Sequence, residues 1–220
     1  AKTPSAGRTV VLDPALIDLL GELLNGEVAS AAGLNQTQVS WLDAWLTDLR
    51  SLTSTSASWV LGYGRPDELA LSRHQQHATK LLSRVSSATD STLSDHSFSG
   101  TAVTWPTPAG ATAKSLALAR DRSTGPILLS RSTVSAWSQD LGSAISVKTS
   151  AGDAQVIVDS SLAKTPGKTT PATLRQQVLT DAALALFSRK KSPSSRADAL
   201  TFVDPDWDPG SNAGRAFTTA

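Results

Sequence analysis

The residues best suited to chemistry stand directly after short apolar runs that end in Asp, Pro or Ser. In parallel α/β folds, ligand-binding and catalytic residues lie at the carboxyl ends of the strands. Two carboxylates at such a place can hydrolyse a glycoside, and a tryptophan face can support a sugar ring. The residues selected by this rule are Asp13, Tyr63, Asp67, Trp105, Ser130, Arg131, Asp159, Asp204, Asp206, Trp207 and Asp208.

All of these residues except Ser130 fall into two overlapping groups. The catalytic candidates are Asp13, Asp67, Asp159 and Asp204. The ligand-binding candidates are Tyr63, Asp67, Trp105, Arg131, Asp206, Trp207 and Asp208. A structural role competes for each acid, because helix caps and first-turn acids belong at the same positions. We therefore expect most of these aspartates to begin helices.

Two patterns resemble metal sites, and both are incomplete. The aspartates of segment 204–208 alternate as in the start of a calcium loop, but Arg215 stands where such a loop supplies its glutamate. A turn leading into a helix is the better prediction there. His74 and His77 are three residues apart and share a helix face, but the sequence fixes no third ligand with them. We therefore predict no metal site.

Composition disfavours several classes of function. Twenty basic residues balance 19 acidic ones, so a nucleic-acid partner is not expected. The chain has no cysteine, which removes thiol catalysis, disulfides and thiolate metal sites. It lacks a phosphate loop, a dinucleotide loop and a nucleophile elbow, and we predict no cofactor. No apolar run reaches the length of about 20 residues that a membrane span needs.

Six strand-like runs must position the candidate residues. Each is followed by a capping residue or a turn, and most lead into a helical pattern, which predicts parallel strands with helical crossovers in an α/β fold. Residues 145–149 and 154–158 predict a small β-hairpin inserted into this order. The length suits one α/β domain over residues 1–220. The runs are 9–13, 59–63, 102–105, 126–130, 156–159 and 200–204.

The helical patterns are read from apolar spacing and caps. The first begins after Asp13, ends at Asn25-Gly26, and has Asp18 on its outward face. In the second, Trp41 and Trp45 lie one turn apart and are predicted to pack in the core. A polar loop is expected over 91–100. The predicted helices after the first cover about 36–52, 66–87 with a break, 112–120 and 170–190.

Five short segments together resemble an uncharacterised family of actinobacterial cell-envelope proteins. These proteins are exported, membrane-anchored and often encoded beside the lipid II flippase. The segments are Leu-Asp-Pro-Ala-Leu-Ile at 12–17, Leu-Gly-Tyr-Gly-Arg-Pro-Asp at 61–67 with Leu-Ala-Leu at 69–71, Val-Thr-Trp-Pro at 103–106, Leu-Arg-Gln-Gln-Val at 174–178 and Phe-Val-Asp-Pro-Asp-Trp-Asp-Pro at 202–209.

The resemblance implies an extracytoplasmic location and a divergent (β/α) barrel-like sheet, similar to polysaccharide deacetylases and some glycoside hydrolases. It also implies that this chain is a fragment of a longer exported protein with a C-terminal membrane anchor. The family pattern near the second strand is Pro-Tyr-Ala-Asp-Pro-Asp, which Tyr63, Pro66 and Asp67 match. Arg65 replaces the family's acid, and the metal-binding residues of active deacetylases have no counterpart.

These observations lead to three hypotheses on function. The first is an extracytoplasmic cell-envelope domain that binds a cell-wall glycan, its precursor or a membrane partner, without established catalysis. The second is a glycoside hydrolase or related carbohydrate-active enzyme that uses paired aspartates. The third is a purely structural protein-interaction module.

Overall fold

The computed structural model describes residues 9–106, 111–123, 125–129 and 144–158, together with helical residues 175–176, 178–183 and 186–187. Several predictions lie outside this part of the chain. They include the last strand at 200–204 and seven of the residues selected after the strand-like runs. Those residues are Ser130, Arg131, Asp159, Asp204, Asp206, Trp207 and Asp208.

The described strands form two three-stranded sheets. In the first, β2 lies between β1 and β3, and all three strands are parallel. In the second, β6 lies between β4 and β5, parallel to β4 and antiparallel to β5. The strands are β1 Thr9–Leu12, β2 Ala57–Val60, β3 Thr101–Ala102, β4 Ile127–Leu129, β5 Ala144–Thr149 and β6 Gly152–Val158.

In the described part of the chain up to residue 158, six helices connect or flank these strands. Five of them begin at a residue whose side chain accepts a hydrogen bond from the first turn, which satisfies backbone donors that a helix start leaves free. The exception is α5, which follows α4 directly at His74. The helices are α1 Pro14–Glu22, α2 Gly26–Ala31, α3 Gln36–Thr55, α4 Glu68–Arg73, α5 Gln75–Asp95 and α6 Ala113–Arg122.

The two sheets meet where β3 ends and β4 begins. Thr104 forms a parallel bridge with Ile127, and the Leu128 N–H donates to the Thr104 carbonyl at 2.8 Å. The buried side chains of Leu61, Val103 and Leu128 pack together across this junction. The predicted fold is therefore confirmed as a mixed α/β fold with a parallel sheet and helices. The strands described do not close into a barrel.

The predicted hairpin is present but is not an insertion. Its strands β5 and β6 pair from Ala144 with Ile157 to Thr149 with Gly152. However, β6 also pairs in parallel with β4, so the hairpin forms part of the second sheet. Its burial explains this position, because Ala154, Val156 and Val158 all face the core.

Three predicted boundaries were wrong because polar residues contribute to structured elements. The strand β2 begins in the Ser/Thr-rich stretch, where Ser58 is buried. Asn25 was predicted only to end the first helix, but its side chain caps a further helix, α2. The helix α5 continues through the first half of the predicted polar loop to Asp95, since Thr92 is buried and Leu93 packs against the core around β1 and β2.

The predicted burial of two tryptophans was also wrong. Trp41 and Trp45 on α3 are 69% and 48% exposed. They share one helix face, while the helix turns a different face inward through Leu46, which is fully buried, and Leu49. Leucines at positions i and i+3 are sufficient to hold the helix on the sheet, so the indoles need not be buried.

Candidate functional site

A pocket of about 140 Å³ lies at the carboxyl ends of β2 and β3. We call it the strand-end pocket. Its walls come from both strand ends, the loop before α4, and the helices α4, α5 and α6. The lining residues are Val60, Leu61, Gly62, Arg65, Pro66, Glu68, Val85, Ser86, Thr89, Asp90, Ala102, Val103, Thr104, Trp105, Arg122 and Ser123.

The parallel register of β2 and β3 creates this position. Val60 is the partner of Ala102, and the Val103 N–H donates to the Val60 carbonyl at 2.8 Å. Beyond this pair the Leu61 N–H donates to the Leu12 carbonyl of β1, whereas Thr104 bridges to β4, so the two segments turn to different neighbours. The opening between them is the place where parallel α/β folds bind ligands.

A tight turn carries the chain from β2 to α4. The Arg65 N–H donates to the Gly62 carbonyl at 2.9 Å, and Gly64 adopts a φ of 67° that glycine tolerates without steric cost. The Tyr63 N–H donates to Thr89 Oγ1 at 3.0 Å, which ties the turn to α5. Asp67 then caps α4 and makes Glu68 its first residue, at the wall of the pocket.

Glu68 and Arg122 give the pocket two half-buried charged groups. Burial raises the pKa of the Glu68 carboxyl, although the Arg122 guanidinium opposes the shift. Burial likewise lowers the pKa of Arg122, and Glu68 opposes that shift. Among the described residues, no ion pair within 4.0 Å involves either group. Each is thus partly desolvated, and the described residues place no oppositely charged group within that distance of it.

Trp105 and several polar groups complete the pocket. Trp105 is half-buried and contributes a wall at the end of β3. Exposed Arg65 and Asp90 stand at the rim, and Ser86 and Ser123 add hydroxyl groups. An indole face, hydroxyls and charged side chains around one small cavity can bind a polar ring or its charged substituent.

The described residues that were predicted to form a site do not all line the strand-end pocket. Trp105 lines the pocket. Asp13 does not line it; its Oδ1 accepts from the Ala15 N–H at 3.0 Å as the cap of α1. Asp67 lies just outside the lining, and its Oδ1 accepts from the first turn of α4 at 2.9 and 3.1 Å. The structural role expected of these acids is therefore present at both positions.

Tyr63 belongs to a neighbouring cluster instead. Its hydroxyl donates to Asp18 Oδ2 at 2.7 Å, and His96 Nε2 lies 3.9 Å from Asp18 Oδ1. This hydrogen bond is the main reason that the pKa of Tyr63 is raised, with smaller contributions from burial and nearby carboxylates. Asp18 was expected to face outward, but the turn after β2 brings Tyr63 over α1. The His96 ring packs so closely on Gly21 that a Cβ there would overlap it.

The described residues contain no cluster of three or more side chains suited to holding a metal ion. His74 and His77 are both exposed, at the junction of α4 and α5. No helix in the same part of the chain has the length and apolar character needed to cross a membrane.

Sequence reasoning missed Glu68 and Arg122. Glu68 directly follows the predicted cap Asp67, so its position beside a strand-end loop was a usable signal. Arg122 precedes a strand, and a rule that selects residues after strands cannot find it. It reaches the pocket because β4 begins opposite Thr104, where β3 has ended, so the segment before β4 runs beside β3.

The fold and the pocket together define a mixed α/β protein with a small pocket of mixed polar and apolar lining at its strand ends. Comparison with protein-family models, curated proteins and solved structures found no significant match to the chain.

Proposed function

We propose that this chain is an extracytoplasmic cell-envelope domain that binds a cell-wall glycan or its precursor at the strand-end pocket, without catalysis. The observation that carries the proposal is the position of Trp105, which lines a pocket together with polar and charged residues. Indoles are apolar on their faces and suit the C–H surfaces of sugar rings.

The size of the pocket favours binding of one unit over enclosure of a whole ligand. Its volume of about 140 Å³ is well below the roughly 300–1,000 Å³ of pockets that enclose drug-sized molecules. A longer glycan would place one ring or substituent in the pocket and continue across the surface.

The cellular location and the closure of the sheet belong to the same proposal. The five segments that resemble envelope proteins support export and membrane anchoring of the full-length protein. A barrel-like closure would require strands beyond those described, because β1 and β5 stand at the two ends of the described strand order. A membrane-protein partner is the alternative ligand within this proposal.

Titration of soluble cell-wall glycan fragments against wild type and Trp105→Leu tests the binding site. Leucine keeps an apolar side chain but removes the indole face, so we expect affinity to fall by about tenfold while the fold is retained. Trp41→Leu is the matched control, since Trp41 is exposed on α3 and does not line the pocket. Equal affinity of the Trp105 and Trp41 variants would overturn the proposal.

A carbohydrate-active hydrolase is the second candidate. The observation in its favour is that two carboxyl groups line the pocket, Glu68 and Asp90, and burial raises the pKa of Glu68 as a general acid requires. If this candidate is correct, wild type will release reducing ends from cell-wall glycan and Glu68→Gln will not. Equal release by both proteins, or by neither, would exclude the role of Glu68.

A further inference from the structure

Two arginines in the last turn of α6 have different environments. Arg120 Nε donates to the Asp153 carbonyl at 2.7 Å, and its side chain is thereby used to hold α6 against β6. Arg122 is half-buried in the strand-end pocket, and no hydrogen bond or ion pair to another described residue engages its guanidinium. The favourable position of a cation at a helix C-terminus accounts for both residues, but not for the placement of Arg122 in the pocket.

A guanidinium in such a position has unused donors. Arginine presents five N–H groups in a planar fork that matches a carboxylate or a phosphate, and these bidentate pairs are stronger than neutral hydrogen bonds. Ser123 lines the same pocket beside Arg122, and its Oγ accepts from the Gly125 N–H at 3.0 Å. Arg65 at the rim adds a second positive charge from the turn before α4.

The negative groups of the pocket oppose an incoming anion to different extents. Asp90 on α5 is exposed and therefore screened by solvent. Glu68 on α4 is half-buried and close enough to affect Arg122 electrostatically, but burial disfavours its ionised form. The titratable groups that line the pocket are Arg65, Glu68, Asp90 and Arg122.

We infer that the strand-end pocket selects an acidic glycan unit over a neutral one, through an oxyanion that pairs with Arg122. The inference rests on the proposed glycan binding and adds the charge of the ligand. The oxyanion is a carboxylate or a phosphate on the bound unit, since both have the geometry that a guanidinium recognises.

Three probes share one sugar ring and differ in charge: glucose is neutral, glucuronic acid carries a carboxylate, and glucose 6-phosphate carries a phosphate. We expect wild type to bind at least one acidic probe about tenfold or more tightly than glucose, as titration by NMR chemical shifts would measure. Arg122→Gln should remove that preference, and Arg122→Lys should keep only part of it, because lysine cannot form the bidentate pair. The acidic probe that wild type prefers identifies the source of the oxyanion.

Arg84→Gln is the matched control, because Arg84 is exposed on α5 and does not line the pocket. It should bind all three probes as wild type does. An Arg84→Gln variant that loses the preference as fully as Arg122→Gln would overturn the inference. Thermal unfolding of each variant shows whether a loss of binding reflects a loss of fold.

Glu68→Gln provides a test with a different readout. As the pH falls through the raised pKa of Glu68, its carboxylate is protonated and stops competing for Arg122. The affinity of wild type for glucuronic acid should therefore rise as the pH falls from neutral through the raised pKa of Glu68, over a range in which the probe stays ionised. The variant should bind tightly across this range without the rise, and a rise of the same size in the variant would contradict the inference.

Failure of this inference can be told from failure of the proposed function. If glycan binding depends on Trp105 but shows no preference for acidic probes, the inference is wrong and the proposed function stands. If wild type instead binds the acidic probes, loses that binding in Arg122→Gln and binds no cell-wall fragment, the proposed glycan binding is wrong and the pocket is an oxyanion site. If neither the probes nor the cell-wall fragments bind, both the inference and the proposed function are wrong.

Discussion

Tyr63 makes one contact of this fold directly measurable, because it is the only tyrosine in the chain. Its hydroxyl donates to Asp18, and the pKa of the phenol is raised chiefly by this hydrogen bond. Ultraviolet titration should therefore show a tyrosine pKa above the ordinary value of 10.0. Asp18→Asn removes the negative charge and should move the pKa back towards that value.

The same contact predicts a dependence of stability on pH. A folded-state pKa above the unfolded one means that folding favours the protonated phenol, so this stability is present below about pH 10 and is lost as the pH rises through the folded pKa. Tyr63→Phe should lose the hydrogen bond but show less alkaline destabilisation in urea unfolding. Equal alkaline destabilisation of both proteins would contradict the role of the phenol.

Asp13 illustrates an acid whose position suits catalysis but whose contacts serve structure. Its carboxylate caps α1, so Asp13→Ala should lower the free energy of unfolding by about 1 kcal/mol. Asp13→Asn should stay close to wild type, because an asparagine side chain caps a helix as well as aspartate does. Urea unfolding measures the stabilities, and glycan titration should show wild-type affinity for both variants. Loss of binding in stable Asp13→Asn would give Asp13 a role at the ligand.

At the scale of the site, sequence reasoning succeeded where a residue directly follows a strand. Trp105 was selected in this way, and it lines the pocket. Glu68 was missed although it directly follows the predicted cap Asp67, whereas the position of Arg122 depends on tertiary packing, through the stagger of β4 along β3. A single sequence contains no signal for that stagger.

Among the structural elements, β3 and the segment before β4 approach so closely that only glycine fits between them. A Cβ at Gly125 would overlap the carbonyl oxygen of Ala102, which is backbone and cannot move aside without disturbing the sheet junction. Gly125→Ala should therefore destabilise the fold by about 2 kcal/mol or more, towards the upper range for overpacking. Urea unfolding measures this loss.

Gly26→Ala is the matched control for this prediction. Gly26 is the first residue of α2, and a Cβ there meets no other atom within 4 Å. This substitution should be neutral or slightly stabilising, because alanine favours a helix over glycine. Similar stabilities for the two alanine variants would mean that the close approach at Gly125 does not constrain the fold.

The elements that could be predicted are those whose local signals agree. Asp13-Pro14 and the leucines that follow specify α1, and the apolar run 127–129 specifies the fully buried strand β4. The errors fall where burial is decided by packing, as for Ser58 in β2 and Trp41 on α3. An amphipathic pattern indicates that a helix has an inner face, but the neighbouring sheet decides which apolar residues it covers.

For the whole molecule, the question is whether the two sheets unfold as one unit. Their junction contains a backbone bridge and a buried group in which Leu128 is fully inaccessible. We expect this continuity to couple them. Leu12→Ala, deep in the core around β1 and β2, should then lower the free energy of unfolding by about 2–5 kcal/mol and reduce amide protection equally in β1 and β6.

Val158→Ala gives the reciprocal test, because Val158 is fully buried in the separate core around β4 and β6. In a single cooperative unit, a loss of stability in either core reduces the protection of every amide that exchanges only through global unfolding. Native-state hydrogen exchange of both variants measures this. If Leu12→Ala leaves β6 protected and Val158→Ala leaves β1 protected, the sheets unfold separately. The strand-end pocket would then lose its α6 wall with the second sheet and its β2 and β3 walls with the first, so glycan binding would fail with whichever sheet melts first.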